Sequence, residues 1–314
     1  MNMIQKMIQN LKDQHFKTKK RWFIQFPIPK NCNFRCSYCF HQEYFNRLAS
    51  GEACAPEFSY YFDRGFSLQE WNIWYDTHIR PISDETVIHL QGGDPFCETN
   101  LANTFSIMDE TDVKVDILTN GIGNPVVLEG FYKRNKNRIY RIGFTFHRKT
   151  ITTQHEISRF SRNVKLAKKY GVNVYVKEIY FREELPKILE HREQWNKLGI
   201  PLKIQDFQNL NGDPTEYTSE DLNYISDEYK HKGQYCSCWE GWRSISVRGF
   251  DIGAGDVIAC WLDPKIIGNI KANTFDPNFK VLIDTSLGRR NVIGVPIKYN
   301  DKGTYSRDRI EYVT

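Results

Sequence analysis

Three cysteines stand at C-x3-C-x2-C in Cys32-Asn-Phe-Arg-Cys36-Ser-Tyr-Cys39, directly after the apolar run Trp22 to Ile28. Thiolates are soft donors, and a short loop presenting three of them suits a four-iron cluster, one of whose irons is then left without a protein ligand. An iron open in this way can bind a small molecule and pass an electron to it. Zinc is the rival use of the same thiols. It would need a fourth ligand nearby, and His41 on the same loop is the candidate.

Two further segments offer groups to a ligand. Thr86-Val-Ile-His-Leu-Gln-Gly92-Gly93-Asp94-Pro95, about sixty residues downstream, reads as a strand ending in glycines. Glycine lets a ligand approach the main chain closely, and Asp94 offers an acceptor for an ammonium group. Val113-Lys-Val-Asp-Ile-Leu-Thr119-Asn120-Gly121 is a second apolar strand closing on a polar turn.

The segment Cys32 to Phe40 resembles the cluster loop of the radical S-adenosylmethionine superfamily, including the aromatic Tyr38, whose backbone in that family lies near the adenine. Gly92-Gly93-Asp94-Pro95 is similar to the family's Gly-Gly-Glu-Pro, which holds the methionyl amino group, with Asp here where Glu is usual. Thr119-Asn120-Gly121 is similar to the tripeptide that often ends its third strand. The resemblance implies a 4Fe-4S cluster on Cys32, Cys36 and Cys39 and S-adenosylmethionine as cofactor. It further implies a flavodoxin- or ferredoxin-type electron donor and an oxygen-sensitive enzyme of oxidoreductase or peptide-modifying type. In that chemistry, S-adenosylmethionine is cleaved to methionine and a 5′-deoxyadenosyl radical, which takes a hydrogen atom from substrate.

The elements that would position these groups alternate. Strand patterns run from Trp22 to Ile28, Thr86 to Leu90, Val113 to Leu118, Arg138 to Phe146, Asn173 to Phe181 and Leu202 to Phe207. Helical patterns include Leu68 to Ile79, Leu101 to Met108, His155 to Tyr170 and Glu184 to Leu198. Strand and helix in alternation make a parallel sheet with right-handed crossovers. Six such units match the partial (β/α)6 TIM-like barrel of the resembled family, an α/β fold whose ligands gather at the carboxyl ends of the strands. We expect an N-terminal helix and basic segment over 1–21, the barrel over 22–208 with an insertion at about 49–66, a linker over 209–232, and a C-terminal region over 233–314.

That last region carries Cys236, Cys238 and Cys260, with two strand patterns, Ser244 to Phe250 and Asp256 to Cys260, around Gly253 and Gly255. It resembles the SPASM or twitch extension, in which a hairpin ends at a cysteine and an auxiliary iron-sulfur cluster follows. The resemblance implies a second cluster on these three thiols. No cysteine follows Cys260; Cys54, Cys97 or another side chain is left as fourth ligand, and a degenerate extension or a zinc site stays open.

Polar residues near the other strand ends are candidates by place alone. Thr145, Lys177 and Gln205 are expected to contact the cofactor, and Glu178 or Asp206 to act as a substrate-side base. His147 and Tyr180 fall nearby. Cys97, three residues past Asp94, is expected to donate a hydrogen atom to a substrate radical, with a small buried apolar role as the alternative.

Composition bounds the rest. A chain of 314 residues with 40% hydrophobic content can bury a substantial core. A net charge of +5, spread along the chain apart from Lys17 to Arg21, makes no case for nucleic acid. Met1 to Gln14 is polar and no apolar run reaches membrane-spanning length, so a cytoplasmic enzyme without a membrane partner is expected. The 8 cysteines, grouped at short spacings, point to metal ligation in a reducing compartment rather than to disulfides. Extensions of this kind accompany enzymes that modify ribosomally made peptides, and others that oxidise or epimerise sugars, cyclitols or nucleosides. About twenty residues precede the first strand, so no leader-binding domain is expected there, and such a domain can also be a separate chain. The competing class is a non-catalytic iron-sulfur or zinc module, which would have no use for Gly92-Gly93-Asp94-Pro95.

Overall fold

The computed structural model describes residues 21–28, 31–39, 65–205, 218–225, 243–247, 255–260 and 263–277. Apolar, β-branched runs become the strands β1 (Arg21–Pro27), β2 (Glu85–Gln91), β3 (Lys114–Thr119), β4 (Ile139–Thr145), β5 (Val174–Ile179) and β6 (Leu202–Gln205). They pair in parallel in that order, each to its neighbour in sequence. The helices between them are α1 (Leu68–His78), α2 (Glu98–Glu110), α3 (Pro125–Asn135), α4 (Gln154–Lys169) and α5 (Leu185–Lys197), and a short α6 (Ser219–Tyr224) follows β6. The expected partial barrel is borne out.

Local chemistry sets the helix starts. Ser67 and Glu70 form a capping box at α1, and Thr153 and Glu156 another at α4, so that side chains satisfy backbone N–H groups that have no partner within the helix. The helix α3 is not among the helical patterns read from the sequence. Its signal is Asn124, whose side chain accepts from the Val126 amide, followed by Pro125 at the first helical position.

Side-chain alternation divides the sheet into two faces. Ile24, Ile88, Ile117, Phe144, Val176 and Ile204 are buried within the main apolar cluster, which includes Trp71, Phe131, Phe160 and Trp195 of the helices. The other face carries polar residues in register: Gln25 pairs with His89, His89 with Asp116, and Asp116 with Arg141. Nearer the strand ends, Thr145 pairs with Lys177 and Lys177 with Lys203. Asp116 is 1% exposed, accepting from His89 Nδ1 and Arg141 Nε at 2.9 and 2.8 Å. Burial alone would raise its pKa. The His89 hydrogen bond and charge and the Arg141 guanidinium more than offset that, holding it below the usual range.

The C-terminal strands are sewn to the barrel. β7 (Arg243–Val247) runs parallel to β1, with Trp22 opposite Arg243. β8 (Asp256–Cys260), β9 (Asp263–Asn269) and β10 (Thr274–Phe275) continue the same sheet antiparallel. Among the described residues its order is therefore β10-β9-β8-β7-β1-β2-β3-β4-β5-β6. The hairpin expected from the sequence is present, and it extends further than expected. Phe275 packs edge-on against Trp22 and Trp74, and the Trp74 indole N–H donates to the Thr274 carbonyl at 2.9 Å. No described helix is long and apolar enough to cross a membrane.

Candidate active site

The three motif segments meet at the carboxyl ends of β1, β2 and β3, where strand direction places them. Asn31, just before the first cysteine, anchors the loop. Its carbonyl accepts from the Asp94 amide at 2.8 Å, Asn100 Nδ2 at 2.9 Å and the Cys97 thiol at 3.3 Å. From the other side Asn120 Nδ2 donates to Asn33 Oδ1 at 2.6 Å and lies 3.6 Å from Cys32 Sγ. Within the loop, Arg35 donates to the Cys32 carbonyl at 2.6 Å, and the Cys39 amide to the Cys36 carbonyl at 3.0 Å. The Cys32 sulfur also receives the Phe34 amide at 3.4 Å.

The middle thiol points across to β4. Cys36 is buried, its sulfur 3.5 Å from His147 Nδ1 and 3.4 Å from the Thr150 hydroxyl. Tyr38 Oη lies 2.9 Å from the same imidazole nitrogen, and the two rings stack. Burial, with the charge of Lys177 adding to it, pushes His147 down to about 3, so the ring is neutral at physiological pH. Burial and then the Asp94 carboxylate push the Cys32 thiol up to about 12. Such a thiol stays protonated until a metal displaces its proton.

Among the described residues no three His, Cys, Asp or Glu side chains are close enough together to hold one metal ion. A cubane cluster makes a different demand, since each cysteine reaches a separate iron. Three thiols on a braced loop, with an N–H donor at Cys32 and a hydroxyl at Cys36, suit that demand in donor type. His41, the fourth ligand considered for zinc, lies outside the described residues.

Gly92 explains why this strand end needs glycine. A Cβ there would sit 2.2 Å from the Ile28 carbonyl oxygen, at a backbone φ of +155°. Asp94 behaves differently from the sequence expectation. Its carboxylate is buried and accepts from the Phe96 amide at 2.8 Å, the Thr119 hydroxyl at 2.9 Å and the Asn120 amide at 2.5 Å. The shorter acid turns inward and joins the ends of β2 and β3. These three donors occupy its oxygens in the structure.

Two expected catalytic groups, Glu178 and Cys97, have defined partners in the structure. Glu178 follows Lys177 and therefore faces the opposite side of β5. There it is 1% exposed, accepting from Arg148 at 2.7 Å and paired with His191 of α5. These contacts tie the carboxylate to the helical side of the sheet. Glu178→Ala would leave two cationic or polar partners facing a buried gap. It is expected to lower the unfolding free energy by about 3 to 5 kcal/mol, and a urea midpoint equal to the wild type would refute this anchoring role. Cys97 starts α2 with its thiol on the Asn31 carbonyl and 3.4 Å from the Thr99 hydroxyl. Through the Asn31 carbonyl it braces the cysteine loop.

Thr145 and Lys177 are buried neighbours across β4 and β5 on the polar face, as their register requires. Gln205 ends β6, and its buried Oε1 has no hydrogen-bond partner among the described residues. Tyr180 is tied to Asp221 of α6, together with Arg182. Thr150, Asn33 and Asn100 are site residues that the sequence reading missed. Only their neighbourhood in three dimensions singles them out. Asp206, Cys54, Cys236 and Cys238 lie outside the described residues; Cys260 is the last residue of β8.

No family model matches this chain. No curated protein matches it either. Solved structures do: native anSMEcpe with bound AdoMet and Cp18Cys peptide superposes with a TM-score of 0.54 at 15% identity, covering 82% of this chain and 80% of that one. This chain therefore shares the fold of that AdoMet-bound structure. Native anSMEcpe with bound AdoMet and Kp18Cys peptide gives 0.52 at 16% identity, over 80% and 77% of the two chains. SuiB of Streptococcus suis bound to S-adenosylmethionine is also similar, with a TM-score of 0.46 at 14% identity over 83% and 65%. In this fold, the Cys32 loop, Gly92-Gly93 and Asn120 occupy one end of the parallel strands.

Proposed function

We propose that this chain is a radical S-adenosylmethionine enzyme that modifies a peptide. The observation that carries the reading is the interlocking of the three-cysteine loop with the Gly92-Gly93 turn and Asn120 through the Asn31 carbonyl and Asn33. A fold shared with anSMEcpe, solved with bound AdoMet and Cp18Cys peptide, supports it. In this reading Cys32, Cys36 and Cys39 hold the cluster and the main chain at Gly92 and Gly93 receives the methionyl group. Tyr38, Asn120, Thr145, Lys177 and Gln205 line the cofactor's place. The bound cluster supplies one electron to the sulfonium, and the resulting adenosyl radical takes a hydrogen atom from the peptide. The chain's part is to fix both reactants and exclude water.

The test is anaerobic reconstitution, followed by iron quantitation and chromatography for 5′-deoxyadenosine with dithionite and S-adenosylmethionine. Iron uptake with slow cleavage is expected. Zinc in place of iron and no cleavage would return the chain to the binding-module class.

The region over 233–314 is proposed to hold a second cluster through Cys236, Cys238 and Cys260. Cys260→Ala is then expected to remove about half of the iron per chain, with 5′-deoxyadenosine formation retained. Unchanged iron would show that this region carries none.

A further inference from the structure

The Cys36 sulfur sits among polar groups that come from outside its own loop. His147 and Thr150 lie on the turn after β4, and that turn is fixed by its own backbone, since the Thr150 and Ile151 amides both donate to the His147 carbonyl at 2.7 Å. The turn sets the Thr150 hydroxyl 3.4 Å and His147 Nδ1 3.5 Å from the sulfur. Tyr38 closes the group, its hydroxyl 2.9 Å from His147 Nδ1 and within hydrogen-bonding reach of both Cys36 and Thr150.

Proton assignment follows from charge. As a cluster ligand Cys36 is a thiolate and has no proton to give, so Thr150 must be the donor between them. The same hydroxyl also reaches Tyr38, but a hydrogen bond to an anionic acceptor is roughly twice as strong as a neutral one. The proton therefore goes to sulfur. His147 has one ring proton: on Nδ1 it is shared between Tyr38 and Cys36, and on Nε2 it leaves Nδ1 to accept from Tyr38. Tyr38 has a single hydroxyl proton, so only the first tautomer, with Nδ1–H directed at Tyr38 Oη, leaves that proton for the sulfur, and the collar is built on this tautomer.

Resting on the function proposed above, we propose that Thr150 and Tyr38, with His147 positioning them, form a hydrogen-bonding collar on the Cys36 thiolate that raises the reduction potential of the cluster. The physical reason is differential stabilisation. One-electron reduction adds negative charge that is spread partly onto the thiolate sulfurs, so donors aimed at a sulfur stabilise the reduced form more than the oxidised form. No bond is made or broken in this step; the electron comes from a low-potential donor such as dithionite. Thr150 and His147 are positioning residues in this account, since neither supplies a cluster ligand.

The experiment is an anaerobic redox titration of the reconstituted full chain, followed by electron paramagnetic resonance, with iron per chain measured on the same samples. Thr150→Val removes the hydroxyl at nearly constant volume. At a fixed poise it is expected to lower the ratio of reduced to oxidised cluster about threefold, a downward shift of about 30 mV at 59 mV per decade. Thr150→Ser keeps a hydroxyl and is expected to restore the wild-type potential. Should Thr150→Val fail to retain iron, Tyr38→Phe removes another donor and is expected to shift the potential in the same direction. An iron-loaded Thr150→Val or Tyr38→Phe with wild-type potential, or a Thr150→Ser that fails to restore it, overturns the collar and leaves the proposed function standing. A wild-type chain that takes up no iron and forms no 5′-deoxyadenosine overturns both.

Discussion

Cys36→Ala is expected to reduce 5′-deoxyadenosine formation to background while the fold survives. The two halves of that expectation rest on different contacts. The loop is braced by bonds that do not involve the Cys36 side chain: the Asn31 carbonyl with its three donors, Asn120 on Asn33, and Arg35 on the Cys32 carbonyl. Losing one buried sulfur atom leaves a small gap, worth about 1 kcal/mol. What is lost for function is one of three ligands, and two thiolates cannot retain a four-iron cluster in this loop. Circular dichroism and a thermal melt should therefore stay near wild type while iron falls. Undiminished product from a folded Cys36→Ala protein would remove this loop from the chemistry.

The contrast with Cys97→Ala sharpens the point. Cys97 is also a buried thiol near the site, but its sulfur is directed at the Asn31 carbonyl. Composition and spacing do not separate the two. Three cysteines in one short loop announce a shared ligand, whereas a solitary cysteine at a helix start is decided by the direction of its side chain.

Strand residues teach the same lesson through parity. Alternation says that Lys177 and Glu178 face opposite ways, and the sequence contains nothing that says which of them is inward. The register of β5 against β4 settles it, because Lys177 pairs with Thr145 on the polar face. Glu178 then belongs with Arg148 and His191. The six strands were legible since their apolar runs are long and bounded by turn residues. The helix α3 was hidden because Gly121, Gly123, Asn124 and Pro125 read together as a loop, and Gly130 interrupts its middle. The parallel pairing of β7 with β1 was hidden for another reason: a contact across more than two hundred residues leaves no local pattern.

Asp94→Ala is expected to destabilise the protein whatever its function. Since a non-catalytic module has no use for Gly92-Gly93-Asp94-Pro95, the sequence alone makes this substitution a test between an enzyme and an electron carrier. The buried carboxylate changes that expectation. Truncation strands the amides of Phe96 and Asn120 and the hydroxyl of Thr119 without their acceptor. Buried donors left unsatisfied cost about 1 to 3 kcal/mol each, so the combined loss is on the order of 3 kcal/mol or more. Burial already pushes the Asp94 pKa up, with the Asn120 and Phe96 amides pulling against it. The ionised form is thus less favoured in the folded chain than in the unfolded one, and these donors offset part of that cost. Urea denaturation of Asp94→Ala should show the loss directly. Affinity for S-adenosylmethionine should fall in step, because the ends of β2 and β3 and the anchor of the cysteine loop are joined through this one residue. A variant with wild-type stability and no affinity would mean the opposite arrangement, a carboxylate that serves the cofactor and contributes little to the frame.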